Sequence, residues 1–219
     1  MIDICLVATL RPDLLNQTLD SFKKNVSSKE GFQIILNTDF APRMSLRKAT
    51  DLAHECLKVA WHYFPVRKLS TNDNPNFAKA VRSVWQNSES DWVFHLEDDW
   101  LFTKEIKLDS ILASISHGIR YIRFPKEGAA RLDKVACQPS LWKGDLVRQL
   151  SESMVDDKDP EKQLRVGSVS KMIDSLLPSA NERSDWRGGP YCKDNGRSWR
   201  AERGLQKWNK NKDRSITWS

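Results

Sequence analysis

The sequence predicts an α/β sandwich around a mostly parallel sheet. Three observations carry this. Strand-like and helix-like stretches alternate up to about residue 125. The strand-like stretches are near-unbroken apolar runs, as expected of strands covered on both faces. The run at 92–96 leads straight into Glu97, Asp98 and Asp99, the position where open α/β sheets hold ligands.

Residues 2–8 read as a buried strand. Pro12 opens a helix at its first turn, where a missing N–H costs nothing, and Leu15, Leu19, Phe22 and Val26 follow at helical spacing. Gly31 resets the chain before a second strand at 32–36. A long amphipathic helix starts near Ser45, with Leu46, Ala49, Ala53, Cys56, Ala60 and Phe64 as its inner stripe, and Pro65 ends it. A short strand at 66–69 precedes a turn and helix start at Asn72, Asp73, Asn74 and Pro75. Phe77, Val81 and Val84 form the inner face of that helix. After the strand at 92–96, a helix at about 104–117 and a strand at 120–124 complete the rhythm. One or two helices are expected between Lys143 and Leu177. The expected division is a catalytic domain over 1–177 and an irregular basic, Trp-rich segment over 178–219 that packs on or closes the site.

With 219 residues the chain is long enough to bury a core. No apolar run approaches the ~20 residues of a membrane span, and the apolar start is broken by Asp3 and lacks the form of a signal peptide. Cys5, Cys56, Cys137 and Cys192 are scattered, without metal-ligand pairing. A reducing setting suits them, and the expected location is the cytoplasm, the host's if the chain is viral. The net charge of +6 favours an anionic partner, although many soluble proteins carry such a charge. Of the histidines, His95 alternates within a strand and reads as interior, while His54, His62 and His117 fall in helical stretches.

Three acids leaving an apolar strand repel one another unless a cation neutralises them. Carboxylate oxygens suit Mg²⁺ or Mn²⁺, which share coordination with substrate phosphates. A solvated acidic turn is the plainer alternative.

The segment from Ile4 to Leu15, with Thr9, Arg11 and Pro12, resembles the first strand and loop of family 2 glycosyltransferases. Leu36, Asn37, Thr38 and Asp39 resemble their second nucleotide-contacting strand. Asn74 to Ala80 stands where they carry an Asn- and Gly-containing helix start, and Phe94 to Asp99 resembles their acidic metal motif. The resemblance spans roughly 2–145. It implies a GT-A-like, Rossmann-like α/β/α sandwich and transfer of a hexose or pentose from a nucleotide sugar, with UDP as the expected nucleotide and inversion as the expected outcome. It implies that Thr9, Arg11 and Asp39 hold the nucleoside and that Lys79 or Arg82 reaches the ribose or phosphates. Glu97 would approach the ribose or serve the metal, Asp99 would ligate it, and Asp98 would support metal or sugar as a catalytic group. Two departures bear on nucleotide identity: Glu97 replaces an Asp, and Pro75 and Asn76 stand where a glycine is expected.

An inverting transfer needs a base for the acceptor hydroxyl. The family draws it from a helix start in the second half of the domain, a form matched by Asp159, Pro160 and Glu161. Glu161 is therefore the expected base, with Asp159 and Glu182 behind it, and a plain capped surface helix is the alternative. The loop at 137–142 resembles an acceptor-side loop, which makes Trp142 an acceptor contact or a cover for the sheet edge. In the tail, Trp186 and Trp199 are expected to stack on an acceptor or to fold back onto the domain, and Arg197 is expected to hold the donor diphosphate.

Cations interleaved with aromatics suit nucleic acid, so the acceptor expected first is a hydroxymethylated pyrimidine in DNA, as for phage enzymes of this type. A glycan, lipid-linked or protein acceptor is the alternative. A nucleotidyltransferase would be expected to carry a glycine-rich loop after the first strand, and Thr9 to Asp13 has none. A non-catalytic nucleic-acid-binding module would place the acids at 97–99 against phosphates.

Overall fold

The computed structural model describes residues 1–40, 44–72, 76–115, 118–128, 135–177, 183–186 and 188–202, and the backbone of 207–208 and 217–218. The chain order is β1 (Ile2–Thr9), α1 (Pro12–Asn25), β2 (Val26–Ser27), β3 (Phe32–Asp39), α2 (Leu46–Tyr63), β4 (Val66–Asn72), α3 (Phe77–Gln86) and β5 (Trp92–Glu97). It continues through β6 (Trp100–Phe102), β7 (Ile106–Lys107), α4 (Leu108–Ser114), β8 (Tyr121–Arg123), β9 (Ser140–Lys143), α5 (Gly144–Ser153), α6 (Pro160–Arg165) and α7 (Ser168–Leu176). It ends with β10 (Arg183–Asp185), β11 (Cys192–Asp194), α8 (Gly196–Glu202), β12 (Lys207–Trp208) and β13 (Thr217–Trp218).

Seven strands form the main sheet in the order β10-β8-β9-β5-β1-β3-β4. All neighbours are parallel except β9, which runs antiparallel to both β5 and β8. Alternation along the strands divides the core. Ile4, Leu6, Ile34, Leu36, Phe94 and Leu96 face one layer with Leu15, Leu19, Phe22 and Cys56 from α1 and α2. Cys5, Val7, Ile35 and Val93 face the other, with Val81, Val84, Trp85, Leu146 and Ile173 from α3, α5 and α7. The first layer centres on Phe22, whose ring meets Phe32, Phe64, Phe94 and Phe102 edge-on. The predicted α/β/α sandwich with its mostly parallel sheet is therefore the fold.

The helix starts follow local chemistry. Pro12 stands at the first turn of α1. The side chains of Ser45, Asn76 and Asp159 cap α2, α3 and α6 by accepting from backbone N–H groups three residues on.

Four expectations are corrected. The helix expected at 104–117 is only α4, because β6 and β7 pair with β11 and β2 before it starts. Ser140–Lys143, expected in a loop, is a sheet strand. Leu46, the first residue of α2, is 70% exposed rather than buried. Three helices, not one or two, fill the stretch from Lys143 to Leu177. His95 is interior, all four cysteines are free and buried, and His117 lies outside the described residues. No helix among the described residues is long and apolar enough to cross a membrane.

Candidate active site

Strand order reverses at β1, which lies between β3 and β5. A crevice opens outside the carboxyl ends of strands at such a switch point. Here it is a cleft of about 270 Å³, floored by Val7 to Thr9, Asp39 and Glu97 to Asp99. One wall comes from Asn76, Phe77, Asp159 and Glu161, at the starts of α3 and α6. The other comes from Trp100, Lys126 and Gln138, and the C-terminal segment covers the cleft with Asp194, Arg197 and Arg200.

The acids at 97–99 have separate environments. Asp98 is 2% exposed. It accepts from the Thr9 backbone N–H at 2.9 Å, from Arg11 Nε at 3.2 Å and from a second Arg11 nitrogen in a bidentate pair. Its own carbonyl accepts from Thr18 Oγ1 at 2.8 Å. Asp98 thus braces the loop after β1 against the strand end. Both its oxygens are engaged in these contacts, and it lines the cleft.

Arg11 also lies 3.6 Å from Asp99. Burial pulls the Arg11 pKa down, but Asp98, Asp99 and Glu97 outweigh it and hold it above its ordinary value. Burial, reinforced by Asp98, pushes the Asp99 carboxyl up to about 6. Asp99 is pinned from above as well. Its carbonyl accepts from Asn195 N–H at 2.8 Å, and Gly196 packs so closely that a Cβ there would stand 2.2 Å from Asp99 Oδ2.

At the far side of β1, Asp39 accepts from Asn37 and Asn72 side chains at 2.9 and 2.6 Å and from the Asn76 backbone at 2.9 Å. Burial nonetheless holds its carboxyl above the ordinary range. Glu161 lies one residue beyond Pro160 at the start of α6 and is 3.8 Å from Arg165.

The cleft therefore gathers Thr9, Arg11, Asp39, Glu97, Asp98, Asp99, Asp159, Glu161 and Arg197 of the expected site residues. It does not gather the rest. Lys79 is exposed beside Asp39, and Arg82 ties α3 to Asp156 at 3.1 Å and to the Met154 carbonyl at 3.3 Å. Trp142 is fully buried between Trp85 and Tyr121, with its indole N–H on Ser140, so the acceptor-contact expectation is corrected. Trp186 is half-buried against the first core layer. Trp199 donates to Asp13 at 2.8 Å and lies 5.5 Å from the Arg11 guanidinium, which fastens α8 to the start of α1. Neither tryptophan lines the cleft. Glu182 lies outside the described residues.

Sequence reasoning missed Asn76, Phe77, Trp100, Lys126, Gln138, Asp194 and Arg200. Trp100 and Asn76 adjoin motifs that were recognised. Asp194 and Arg200 arrive only through the pairing of β11 with β6.

Among the described residues no three His, Cys, Asp or Glu side chains converge to hold a metal ion alone. Mg²⁺ and Mn²⁺ need only one or two carboxylates when a diphosphate supplies further oxygens. The carboxylates of Asp99, Glu97 and Asp194 along one cleft fit that shared arrangement.

No family model matches the chain, and no curated protein does. Solved structures do. Staphylococcus aureus TarS 1-349 superposes with a TM-score of 0.58 at 13% identity, over 89% of this chain and 60% of that one. A mannosyltransferase from Pyrobaculum calidifontis, in complex with GDP-Man and Mn²⁺, gives 0.57 at 10% identity over 92% and 60%. Glucosyl-3-phosphoglycerate synthase from Mycobacterium tuberculosis, in complex with Mn²⁺, UDP-glucose and glycerol 3-phosphate, gives 0.50 at 10% over 84% and 69%. The chain spans about 60% of the first two. At these identities the likeness establishes the GT-A glycosyltransferase fold.

Proposed function

We propose that the chain is a metal-dependent glycosyltransferase that moves a sugar from a nucleotide sugar to an acceptor hydroxyl. The observation that carries the reading is the placement of Asp39, Asp99 and Glu161 around one cleft at the switch point of the sheet. Thr9 and Asp39 hold the nucleoside at the β1/β3 side, and UDP is the nucleotide we infer. Asp99, with Glu97, holds a divalent cation together with the donor diphosphate. Such a cation neutralises charge on a departing diphosphate. Arg197 and Arg200 add cationic charge from the segment over the cleft, the role we assign to residues 178–219. Glu161 takes the acceptor proton as transfer proceeds with inversion.

The neighbours support this reading: the mannosyltransferase is in complex with GDP-Man and Mn²⁺, and the synthase with UDP-glucose and Mn²⁺. We infer an acceptor that presents a free hydroxyl. Hydroxymethylated DNA is one arm of the test, and neither Trp186 nor Trp199 lines the cleft.

The test incubates the chain with Mn²⁺, a panel of nucleotide sugars and acceptors that include 5-hydroxymethylcytosine DNA, glycans and lipid-linked sugars. Mass spectrometry reads sugar adducts and nucleoside diphosphate release. Asp99→Ala is expected to remove both signals by at least about a hundredfold, as loss of a key electrostatic contact does. Glu161→Gln is expected to suppress transfer by about 10²-fold or more while leaving donor binding intact. Release that persists in Asp99→Ala would sink the reading.

A further inference from the structure

One residue joins the floor of the cleft to the segment that carries Glu161. Asn76 precedes α3 and is half-buried in the cleft wall. Its main-chain N–H donates to Asp39 Oδ2 at 2.9 Å. Its side-chain Oδ1 accepts from the Lys79 N–H at 2.9 Å, which caps α3. Its Nδ2 donates to the Asp156 carbonyl at 2.9 Å, across 80 residues of sequence. An amide oxygen only accepts and an amide nitrogen only donates, so these two side-chain contacts fix the amide in one orientation.

Capping alone does not ask for asparagine. Serine or aspartate caps a helix about as well, but neither carries an amide N–H beside its capping oxygen. A glycine, the residue expected here, would make neither side-chain bond.

The Asp156 end of the tie is stiff. Gln163 of α6 is 5% exposed. Its amide accepts from the Val155 N–H at 2.9 Å and donates to the Val155 and Lys158 carbonyls, each at 2.8 Å. Residues 155–158 are thereby folded onto α6, and Asp159 caps that helix. Arg82 reaches the same segment from α3, at the Asp156 carboxylate and the Met154 carbonyl. Glu161 is the second residue of α6. A contact at Asp156 therefore sets where α6, and Glu161 with it, stands relative to Asp39.

We propose that Asn76 is a positioning residue that sets Glu161 relative to a donor nucleoside at Asp39. The inference rests on the transferase reading above and adds to it the residue that fixes the spacing between donor and base. Rate is sensitive to that spacing. A base must lie within hydrogen-bond reach of the hydroxyl it deprotonates, and misplacement by about 1 Å can cost about 10²-fold.

The test is a mutant cycle on the intact chain. Asn76→Ser keeps a capping oxygen and the main-chain bond to Asp39 but removes the amide N–H. Arg82→Gln weakens the second tie from outside the cleft lining. Turnover is measured with the nucleotide sugar and acceptor that the wild type uses fastest. Calorimetric titration of UDP and GDP with Mn²⁺ reads nucleotide binding. Asn76→Ser is expected to lower kcat by about tenfold or more, with both KM values and the nucleotide Kd unchanged. Arg82→Gln is expected to show a smaller loss of the same kind. In a Glu161→Gln background, Asn76→Ser is expected to cost little more, because the group it positions is gone. A general weakening of the fold would not produce that result. An unchanged kcat in Asn76→Ser, a parallel loss of nucleotide binding, or the same loss in the Glu161→Gln background as in the wild type overturns the positioning role and leaves the transferase reading standing. If Asn76→Ser does not fold, the same cycle with Arg82→Gln decides. Full turnover in Glu161→Gln overturns the base assignment and the positioning role together.

Discussion

Three consecutive acids do three different things because their neighbours differ. Glu97 ends β5 at the cleft, Asp98 turns inward to Arg11 and the Thr9 backbone, and Asp99 faces the cleft beneath Gly196. Asp98 and Arg11 are both nearly buried, with side chains 3% and 9% exposed. Removing one charge from such a pair strands the other and costs about 3–5 kcal/mol. Asp98→Asn is therefore expected to lower the unfolding free energy by up to that order, read as a lower midpoint in urea denaturation followed by circular dichroism, with Asp99 at 3.6 Å retaining part of the charge balance of Arg11. An unchanged midpoint would show that the pair does not brace the fold.

At the scale of elements, β11 and α8 bring the C-terminal segment to the site. β11 pairs antiparallel with β6, the strand that leaves the acids, and α8 is tied to α1 through Trp199 and Asp13. Asn195 adds a second tie, donating to Gln17 Oε1 at 2.8 Å. The join depends on Gly196 having no side chain above Asp99. Gly196→Ala forces that turn away from the carboxylate. It is expected to reduce donor turnover by about tenfold or more, in line with the cost of a misplacement near 1 Å, while the unfolding midpoint changes little. Equal activity in Gly196→Ala would show that the turn tolerates displacement.

Over the whole molecule, two buried groups tie stability to pH. Burial pulls the His95 pKa down from 6.5 to about 3, and its ring accepts from the Trp85 indole at 3.2 Å, which leaves no place for a second proton there. Burial pushes Asp3 upward, but backbone N–H groups of Ser90 and Glu89 and the Gln33 side chain outweigh it and hold the carboxyl below 3.8. Both folded values lie below the unfolded ones, so the unfolded chain binds more protons in acid. The share of stability that these two groups carry is fully present above about pH 6.5 and declines as pH falls, while Asp99 and Asp39, held above their ordinary values, act in the opposite sense. The slope from His95 alone is at most about 1.4 kcal/mol per pH unit, between 6.5 and about 3, and Asp3 adds to it below about 4. Compared with the wild type, His95→Gln is expected to lose less melting temperature as pH is lowered from about 6.5. A slope unchanged in His95→Gln would assign the acid sensitivity to other groups.

Local chemistry alone determined much of this protein. Near-unbroken apolar runs, helical stripes, and the starts at Pro12, Ser45 and Asp159 made the sandwich legible, because each depends on residues within a few positions of one another. The acids at 97–99 were legible because they stand at a strand end, where open sheets hold ligands, whereas Thr9, Arg11, Asp39 and Glu161 followed from the family resemblance. Pairing between distant segments was not legible. The tertiary structure alone decided that Ser140–Lys143 is a strand, that Trp142 is core, that Asp98 is a brace, and that Asp194, Gly196 and Arg200 cover the cleft. Each depends on which surfaces meet between segments well separated in the chain, from Tyr121 against Trp142 to Asp13 against Trp199. The physical reason is that burial and hydrogen-bond partners belong to a residue's surroundings, and only folding brings those surroundings together.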